Sequence, residues 1–485
     1  MKRFLIKTSS VFALAFLMWL GACEQRFDEL NANPNAPASA APEFVLPGAI
    51  VDLAYYTNYQ LGINYIGLWV QQHASGAYPE EDQYSPRLND INVFWNNIYD
   101  NNMKDLRYII DNGSPNQVAV AKILSAYGFM ALTDVWGDIP YSQALQAEKG
   151  SEYLTPVFDA QKDVYDGIIK DLDDAVKMMD RSSIDRFGAE DLILNGDLDL
   201  WEKFANSLRL RAYLHLSEVD PTTSRAGIEA MLAKPLISDN SENIALVYVD
   251  VPGNRNPIHS RFSGRPNDFR MSKSMVDRMI GSGDSINPAD PRLAVYSERN
   301  SDGIYIGVPN GVNGLGDVGL DNFTSCKFGS GFLAPTAPNY FMTYAEVAFI
   351  RAEAAARGWI AEDAKTAYET AVKASLNQHG ITDAAVIDAF LADPNVAFDA
   401  ARGLELVSTQ KWIAMFGQPI ESWTNFRRTG WPSLPIALND QNNGQFPKRM
   451  LYPSVEQTTN ATNVAAATAR QGGAELANPV WWDVN

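Results

Sequence analysis

The chain has 485 residues, 46% of them hydrophobic and 20% charged, so it can bury a sizeable core and wholesale disorder is excluded. Its formal net charge of −19 argues against nucleic acid and anionic membrane surfaces as main partners, because both are bound through Lys and Arg. The two cysteines, Cys23 and Cys326, are too few for a disulfide scaffold or a cysteine-based zinc site.

Residues 1–22 are predicted to be a signal peptide. Basic residues precede the apolar run Val11–Leu20, which is far shorter than the roughly 20 residues that span a bilayer. The following Leu20-Gly-Ala-Cys23 resembles a bacterial lipobox, in which the chain is cut before the cysteine and the cysteine is acylated. The alternative is an ordinary signal peptide with a chance cysteine nearby. We expect lipidation at Cys23.

Residues 23–42 are predicted to be a lipidated tether, since they are rich in Asn, Ala and Pro. Acyl chains would then anchor the protein without spanning the membrane, and no later segment is expected to cross it. The other cysteine, Cys326, has no histidine close in sequence to activate it, so it is interpreted as an inert thiol.

Residues 43–485 are predicted to be a single, predominantly all-α domain. Apolar residues recur every three or four positions through most of it, as on one face of a helix. Asp197 or Asp199 is placed to cap one helix, and Gly358 and Gly380 to end two others. Helices are expected near 47–72, 91–111, 117–134, 165–179, 201–215, 223–233, 272–280, 347–357, 364–379, 383–392 and 401–417.

Two helical segments look alike. Val164–Val176 and Ala367–Leu376 each contain a tyrosine followed by apolar positions at helical spacing, and each follows a helix with small residues on one face. Small residues allow close helix packing, as in tetratricopeptide helix pairs. The alternative is two unrelated amphipathic helices.

Residues 236–342 interrupt this pattern with dense Gly, Pro, Asn and Asp. Long irregular insertions in a compact protein are usually functional or disordered, and the scattered aromatic residues favour functional surface loops. Only 243–251 and 304–308 are candidate strands, so the insertion is expected to form a loop-rich face.

The sequence contains no strong catalytic or cofactor motif. The four histidines are far apart in sequence, and His215 is interpreted as a core residue because it lies on an apolar stripe. Gly314–Gly319 matches the dinucleotide-binding glycine pattern but lacks its strand and helix, so it is interpreted as a loop. We expect no cofactor, no metal site and no catalytic residue. A pair of carboxylates for glycoside hydrolysis remains an open alternative.

Aromatic residues among polar, turn-forming neighbours suit the binding of sugars, because flat rings supply area and polar groups fix orientation. The segment Gln71–Tyr84 has this composition, and Tyr78 and Tyr84 are its aromatic residues. For each single aromatic residue, core packing is the alternative. The predicted ligand-binding residues are Gln72, His73, Tyr78, Tyr84 and Tyr305, and further aromatic candidates are Tyr296, Phe332 and Tyr340.

Eight blocks in order along the chain resemble the SusD/RagB-like nutrient-binding outer-membrane lipoproteins of Gram-negative bacteria. They cover essentially the whole chain: the lipobox with Asp28–Pro37, Leu132–Ala144, Trp201–Arg211, Asp290–Leu293, Met342–Trp359, Glu421–Pro432, Arg449–Pro453 and Val480–Asp483.

This resemblance implies a helical body with tetratricopeptide-like pairs, anchored to the outer membrane and facing the exterior. It also implies a non-enzymatic role, in which an oligosaccharide or a peptide is captured and passed to a TonB-dependent transporter. The best-matching blocks are expected to serve structure: Gly137 and Pro140 in turns, and Arg427 and Arg428 paired with buried carboxylates. A lipid-anchored helical glycoside hydrolase and a protein-binding tetratricopeptide adaptor remain alternatives.

Overall fold

Helix makes up 53% of the structure and strand only 4%, which confirms the predicted all-α class. The computed structural model describes residues 40–485, so the predicted signal peptide and Cys23 lie outside the described residues. Pro42–Asn485 form one compact unit.

Nineteen α-helices, from three to 22 residues long, lie in the described part of the chain. They are α1 Pro42–Ala54, α2 Gly67–Trp69, α3 Pro79–Asp82, α4 Leu88–Asn96, α5 Lys104–Asn112, α6 Pro115–Trp136, α7 Gln161–Met178, α8 Leu198–His215, α9 Pro221–Leu232, α10 Pro257–Gly264, α11 Lys273–Ile280 and α12 Leu293–Tyr296. After the insertion come α13 Tyr344–Ala356, α14 Ala364–Gln378, α15 Ala384–Leu391, α16 Gly403–Ala414, α17 Pro419–Thr429, α18 Ser454–Thr459 and α19 Ala461–Arg470. The strands are β1 His73–Ser75, β2 Ile244–Leu246, β3 Phe269–Met271 and β4 Asn339–Met342.

Local sequence sets the helix ends. Asp197 caps α8 by accepting hydrogen bonds from the backbone N–H groups of Asp199 (2.9 Å) and Leu200 (3.2 Å), so Asp197 is the capping residue of the two candidates. Gly358 and Gly380 follow α13 and α14 with φ of 68° and 76°, which is the left-handed conformation predicted for them.

The body is built from helices that pack in pairs. Helix α6 packs on α7, α8 on α9, α13 on α14, and α16 on both α13 and α17. Alanines line the buried side of α13 and allow α14 to approach closely. These pairs match the tetratricopeptide-like architecture expected from the two similar segments.

Helix α6 is long and apolar enough to cross a membrane, by length and composition alone. However, 83% of its most apolar window is buried inside the protein, which is typical of a core helix. No segment after the signal peptide was predicted to be apolar over this length.

Paired charges are buried between the helices. Arg428 of α17 donates to both carboxylate oxygens of Glu353 in α13, at 2.5 and 2.6 Å, and both side chains are fully buried. Burial opposes ionisation of Glu353, but Arg428 and Arg357 more than offset it and lower its pKa to about 2. The pairing predicted for Arg428 is therefore confirmed.

Arg427 behaves differently from the prediction. It donates to the carbonyl oxygens of Lys448 and Asp134, both at 2.7 Å, and its guanidinium carbon lies 3.4 Å from the ring centroid of Trp423. It makes no hydrogen bond to a carboxylate among residues 40–485, and burial lowers its pKa to about 10. Arg427 is thus bonded to backbone oxygens and stacked on an aromatic ring.

A second buried ionic cluster includes His215. Its Nε2 lies 3.0 Å from Glu421 Oε2 and its Nδ1 lies 2.8 Å from the Tyr165 hydroxyl, so it is the bonded core histidine that was predicted. Lys411 Nζ lies 2.6 Å from Glu421 Oε1. Burial opposes ionisation of Glu421, but Lys411, the hydrogen bond with His215, and Arg211 lower its pKa well below the usual range.

The insertion between α9 and α13 contributes β2, β3 and β4 to two small antiparallel sheets, and β1 comes from the segment before α3. Strand β1 pairs with β3, with Ser75 opposite Phe269, and β2 pairs with β4. The candidate strand 243–251 is strand only over β2, and 304–308 contributes only an isolated bridge between Val308 and Ser272.

Two predicted helices contain wider turns. The run predicted at 47–72 extends from Pro42 to Trp69 and is π-helical over Tyr55–Ile66, and the run predicted at 91–111 is π-helical over Asn97–Met103. The hydrophobic spacing predicted the helical runs but not their π-helical segments, whose turns are wider than those of an α-helix. Helices α3, α10, α12, α17, α18 and α19 were not predicted.

Gly67 is a helical position with no room for a larger side chain. A Cβ added there would lie 2.2 Å from Cε1 of the His73 ring, whereas one added at Gly48 of α1 meets nothing within 4 Å. Gly67→Ala should therefore lower the free energy of unfolding by about 1–3 kcal/mol, because the core is overpacked. Gly48→Ala should raise it by up to ~1 kcal/mol through helix propensity. Urea denaturation of both variants tests this, and a Gly67→Ala protein as stable as the wild type would contradict the packing described.

Candidate functional site

A small polar crevice surrounds the exposed ring of Tyr78, on the loop side of the β1–β3 sheet. We call it the Tyr78 crevice, and its volume is about 110 Å³. Its lining residues are Asn64, Tyr65, Leu68, Ser75, Tyr78, Glu81, Arg87, Asp90, Arg261, Arg265, Asp268 and Phe269.

The β1–β3 ladder positions one wall of the crevice. After β1 the chain turns sharply, because the Tyr78 N–H donates to Ser75 Oγ (3.0 Å) and this hydroxyl donates to the Tyr78 carbonyl (2.5 Å). A Cβ at Gly76 would lie 2.3 Å from the backbone oxygen of Asn267, so only glycine fits this approach. The turn thereby directs Tyr78 outward.

Buried Asp82 fixes the floor beneath this turn. Its carboxylate accepts hydrogen bonds from Ser75 N (3.0 Å), Gly311 N (2.9 Å) and Asn310 Nδ2 (2.7 Å). Burial raises its pKa to about 7, although these three donors favour the carboxylate. Asp82 thus ties the Tyr78 turn to a loop more than 200 residues away.

Two guanidinium groups flank the Tyr78 ring, which is 42% exposed. The Arg265 and Arg87 guanidinium carbons lie 4.7 and 5.7 Å from its centroid. Arg265 also pairs with Asp268 at 3.1 Å, and Arg87 with Glu81 at 2.8 Å. These carboxylates orient the guanidinium groups beside the exposed aromatic surface.

The crevice offers both hydrogen-bond donors and acceptors. The arginines supply N–H groups, and Asn64 Oδ1 is buried without a hydrogen-bond partner in the described part of the chain. The Tyr65 hydroxyl donates to Asp90 at 2.7 Å. An aromatic surface with mixed donors and acceptors is chemically suited to a sugar, whose hydroxyl groups both donate and accept.

Three predicted binding residues lie behind the crevice, in the core. Gln72 Nε2 donates to Trp412 O and Ser422 Oγ, both at 3.0 Å. His73 Nε2 donates to the Ile63 carbonyl at 2.7 Å, and Tyr84 is 1% exposed and accepts from Ala437 N at 3.1 Å. The expectation that these side chains lie on a surface loop is wrong, because each fills a core position.

Tyr305 is also buried, and it is not part of the crevice lining. Its ring packs beside Arg299, whose guanidinium carbon is 5.0 Å from the centroid. Tyr296 stacks on Phe416 and contacts Phe332, in an aromatic cluster with His379. Of the five predicted binding residues, Tyr78 alone presents an exposed ring, and its role in binding stays a prediction.

The arginines and acids of the crevice were missed in the sequence. Arg261, Arg265 and Asp268 belong to the insertion, and only the pairing of β1 with β3 brings them to Tyr78. The available sequence signal was their spacing, since Arg265 lies four positions after Arg261 and Asp268 three positions after Arg265. It indicates a mutual salt bridge but not which aromatic residue lies beside it.

Comparisons with known proteins give a consistent result. The family model described as "SusD-like_2: Starch-binding associating with outer membrane" matches residues 34–453. A search of curated proteins finds no match.

Solved structures are similar over nearly the whole chain. One described as a chitin-binding protein is 28% identical, with a TM-score of 0.80, and the match covers 92% of this chain and 100% of that one. A chitin-binding SusD homologue from Flavobacterium johnsoniae is 26% identical, with a TM-score of 0.78 and coverage of 91% and 99%. A SusD homologue from Parabacteroides distasonis is 25% identical, with a TM-score of 0.79 and coverage of 92% and 98%.

The buried imidazole of His73 should make the stability of the fold sensitive to acid. Burial lowers the pKa of His73 from 6.5 to about 4. Between these values the unfolded chain binds a proton that the folded chain does not, so stability is present above pH 6.5 and is lost as pH falls towards 4.

For one such group the slope approaches about 1.4 kcal/mol per pH unit within this window. His73→Gln should therefore flatten the wild-type plot of unfolding free energy against pH between pH 6.5 and 4. Glutamine keeps an N–H donor for the Ile63 carbonyl, which limits other effects. Denaturant titrations at several pH values provide the comparison, and parallel curves would contradict a neutral, buried His73.

Proposed function

Since the chain belongs to the SusD-like family, we propose that it captures an oligosaccharide at the bacterial outer membrane and delivers it to a TonB-dependent transporter. The observation that carries the proposal is the family match over residues 34–453, together with structural similarity to chitin-binding proteins along nearly the whole chain. We further propose that the protein binds without catalysing a reaction, as SusD-like proteins do.

The chemistry of the Tyr78 crevice supports an oligosaccharide as ligand. Its exposed ring offers an apolar surface, and Arg265 and Arg87 place N–H donors beside that surface. The paired acids leave the crevice without a dominant charge, which suits a neutral ligand. Chito-oligosaccharides are the first candidates because two similar structures are described as chitin-binding, and peptides are the second class.

For the membrane attachment we propose cleavage after residue 22, acylation of Cys23 and a tether over residues 23–42. The helical domain over 43–485 would then face the exterior, where a transporter partner can receive the ligand. The family description, association with the outer membrane, supports this placement.

The first test is a calorimetric titration of the purified full-length protein in detergent with chito-, malto- and other oligosaccharides and with peptides. We expect binding of a saccharide that is recovered intact. Tyr78→Ala should weaken this binding by about tenfold or more, because the aromatic contact is lost. Tyr153→Ala is the matched control, since Tyr153 is partly exposed but lines a different cavity.

Each other outcome identifies a different function. Cleavage of the saccharide would establish the glycoside hydrolase and replace the binding role. Binding of peptides alone would change the ligand class. Equal effects of the Tyr78 and Tyr153 substitutions would show that the ligand lies elsewhere.

The anchor is tested separately. Cys23→Ala should move the protein from the membrane fraction to the soluble fraction, because the acyl acceptor is lost. Cys326→Ala is the control, since Cys326 is buried and should leave the protein in the membrane fraction. Full retention of Cys23→Ala with membranes would overturn the proposed lipidation.

A further inference from the structure

A larger cavity lies where the insertion meets the C-terminal helices. It has a volume of about 430 Å³ and is enclosed by α11, α15, α16 and the turn that follows α17. We call it the Trp431 cavity after the residue at its mouth. This volume is within the range of small-molecule sites, and it is about four times that of the Tyr78 crevice.

Trp431 differs from Trp423, the other tryptophan of the block Glu421–Pro432. Trp423 is 1% exposed and bonds through its indole N–H to the Pro447 carbonyl, whereas Trp431 is 36% exposed. Within residues 40–485, the Trp431 indole N–H has no hydrogen-bond partner and its ring contacts no other aromatic ring. The block was expected to serve structure alone, yet this side chain presents a free flat surface to the cavity.

Arg278 places a guanidinium group in the lining, next to the Trp431 turn. Its Nη2 donates to the Ser433 carbonyl. It forms no ion pair with any described carboxylate, unlike Arg402 in the same cavity, which pairs with Glu405 at 2.6 Å. The guanidinium therefore retains donor capacity for a ligand oxygen.

The remaining walls combine acceptors with an apolar floor. The Asp393 carboxylate accepts from Ser282 Oγ and from Asn395 N, and it retains further acceptor capacity. Phe390 and Leu406 are buried apolar residues of the lining. A concave apolar site with a few convergent polar groups is the usual form of a binding pocket.

We propose that the Trp431 cavity is a second saccharide-binding site. A sugar ring lies against the Trp431 indole, one of its oxygens accepts from the Arg278 guanidinium, and its hydroxyls donate to Asp393 or Glu405. This inference rests on the proposed function in one respect, namely that the protein binds saccharides at all.

The two sites share one segment of the chain. Phe269 of β3 lines the Tyr78 crevice, and Arg278 of α11, which follows β3 directly, lines the Trp431 cavity. Helix α11 has eight residues and is therefore about 12 Å long. Because both sites belong to one folded protein, a single oligosaccharide library can be titrated against both of them.

The test is a calorimetric titration of the full-length protein with a chito-oligosaccharide, repeated for Trp431→Ala, Arg278→Gln and Tyr78→Ala. We expect two equivalents of sugar on the wild type and one on each variant. Trp431→Phe, which keeps an aromatic face, should retain the second equivalent. Thermal melting identifies any variant that fails to fold, and Trp359→Ala is the matched tryptophan control outside both sites.

A local readout makes the assignment independent of stoichiometry. In fluorotryptophan-labelled protein, the ¹⁹F resonance that disappears in Trp431→Phe belongs to Trp431. This resonance should shift on addition of the sugar, and it should still shift in Tyr78→Ala.

The outcomes separate the two proposals. A single equivalent that is lost in Tyr78→Ala, with a stationary Trp431 resonance, would overturn the second site and leave the proposed function standing. Binding that is lost only in Trp431→Ala would support this cavity and overturn the Tyr78 crevice. Absence of any saccharide binding, with peptides bound instead, would overturn both.

Discussion

The buried pairing of charges between helices is the constraint on which the architecture depends. Glu353 on α13 is fully enclosed, and Arg428 from α17 reaches it across a sequence separation of 75 residues. Removing one partner of such a pair leaves an uncompensated buried charge, which typically costs about 3–5 kcal/mol. The pairing therefore admits one relative arrangement of α13 and α17, and the second cluster, centred on Glu421, adds the same restriction between α8, α16 and α17.

The aromatic residues proposed to bind ligand lie on turns attached to the helical body. The Tyr78 turn and the Trp431 turn each follow a buried element, β1 in one case and α17 in the other. Their aromatic rings are exposed because the chain reverses direction there, and neighbouring arginines supply polar contacts. Substitutions at these turns are therefore expected to leave the buried ion pairs undisturbed.

The positions and ends of many helices were predictable because the signals for them are local in sequence. Apolar residues spaced by three to four positions predicted the helical runs, and Asp197, Gly358 and Gly380 marked helix ends. The core positions of Gln72, His73 and Tyr84 were not predictable, because polar neighbours suggested exposure. The bonding partners of Gln72 and Tyr84, namely Trp412, Ser422 and Ala437, lie more than 300 residues away in the sequence. Crevice arginines were missed for the same reason, since only strand pairing brings Arg265 to Tyr78.

These distant partners also order the events of folding. The segment that leads to Tyr78 is bonded to the C-terminal helices, through Gln72 to Ser422 and through Trp412 to the Val70 carbonyl. Contacts of such separation form late, because a long loop must close before they contribute. As the chain emerges from its N-terminus, helix pairs such as α6 and α7 can assemble early. The crevice stays unformed until residues beyond 420 have arrived, so a nascent chain cannot engage a sugar there before its synthesis is nearly finished.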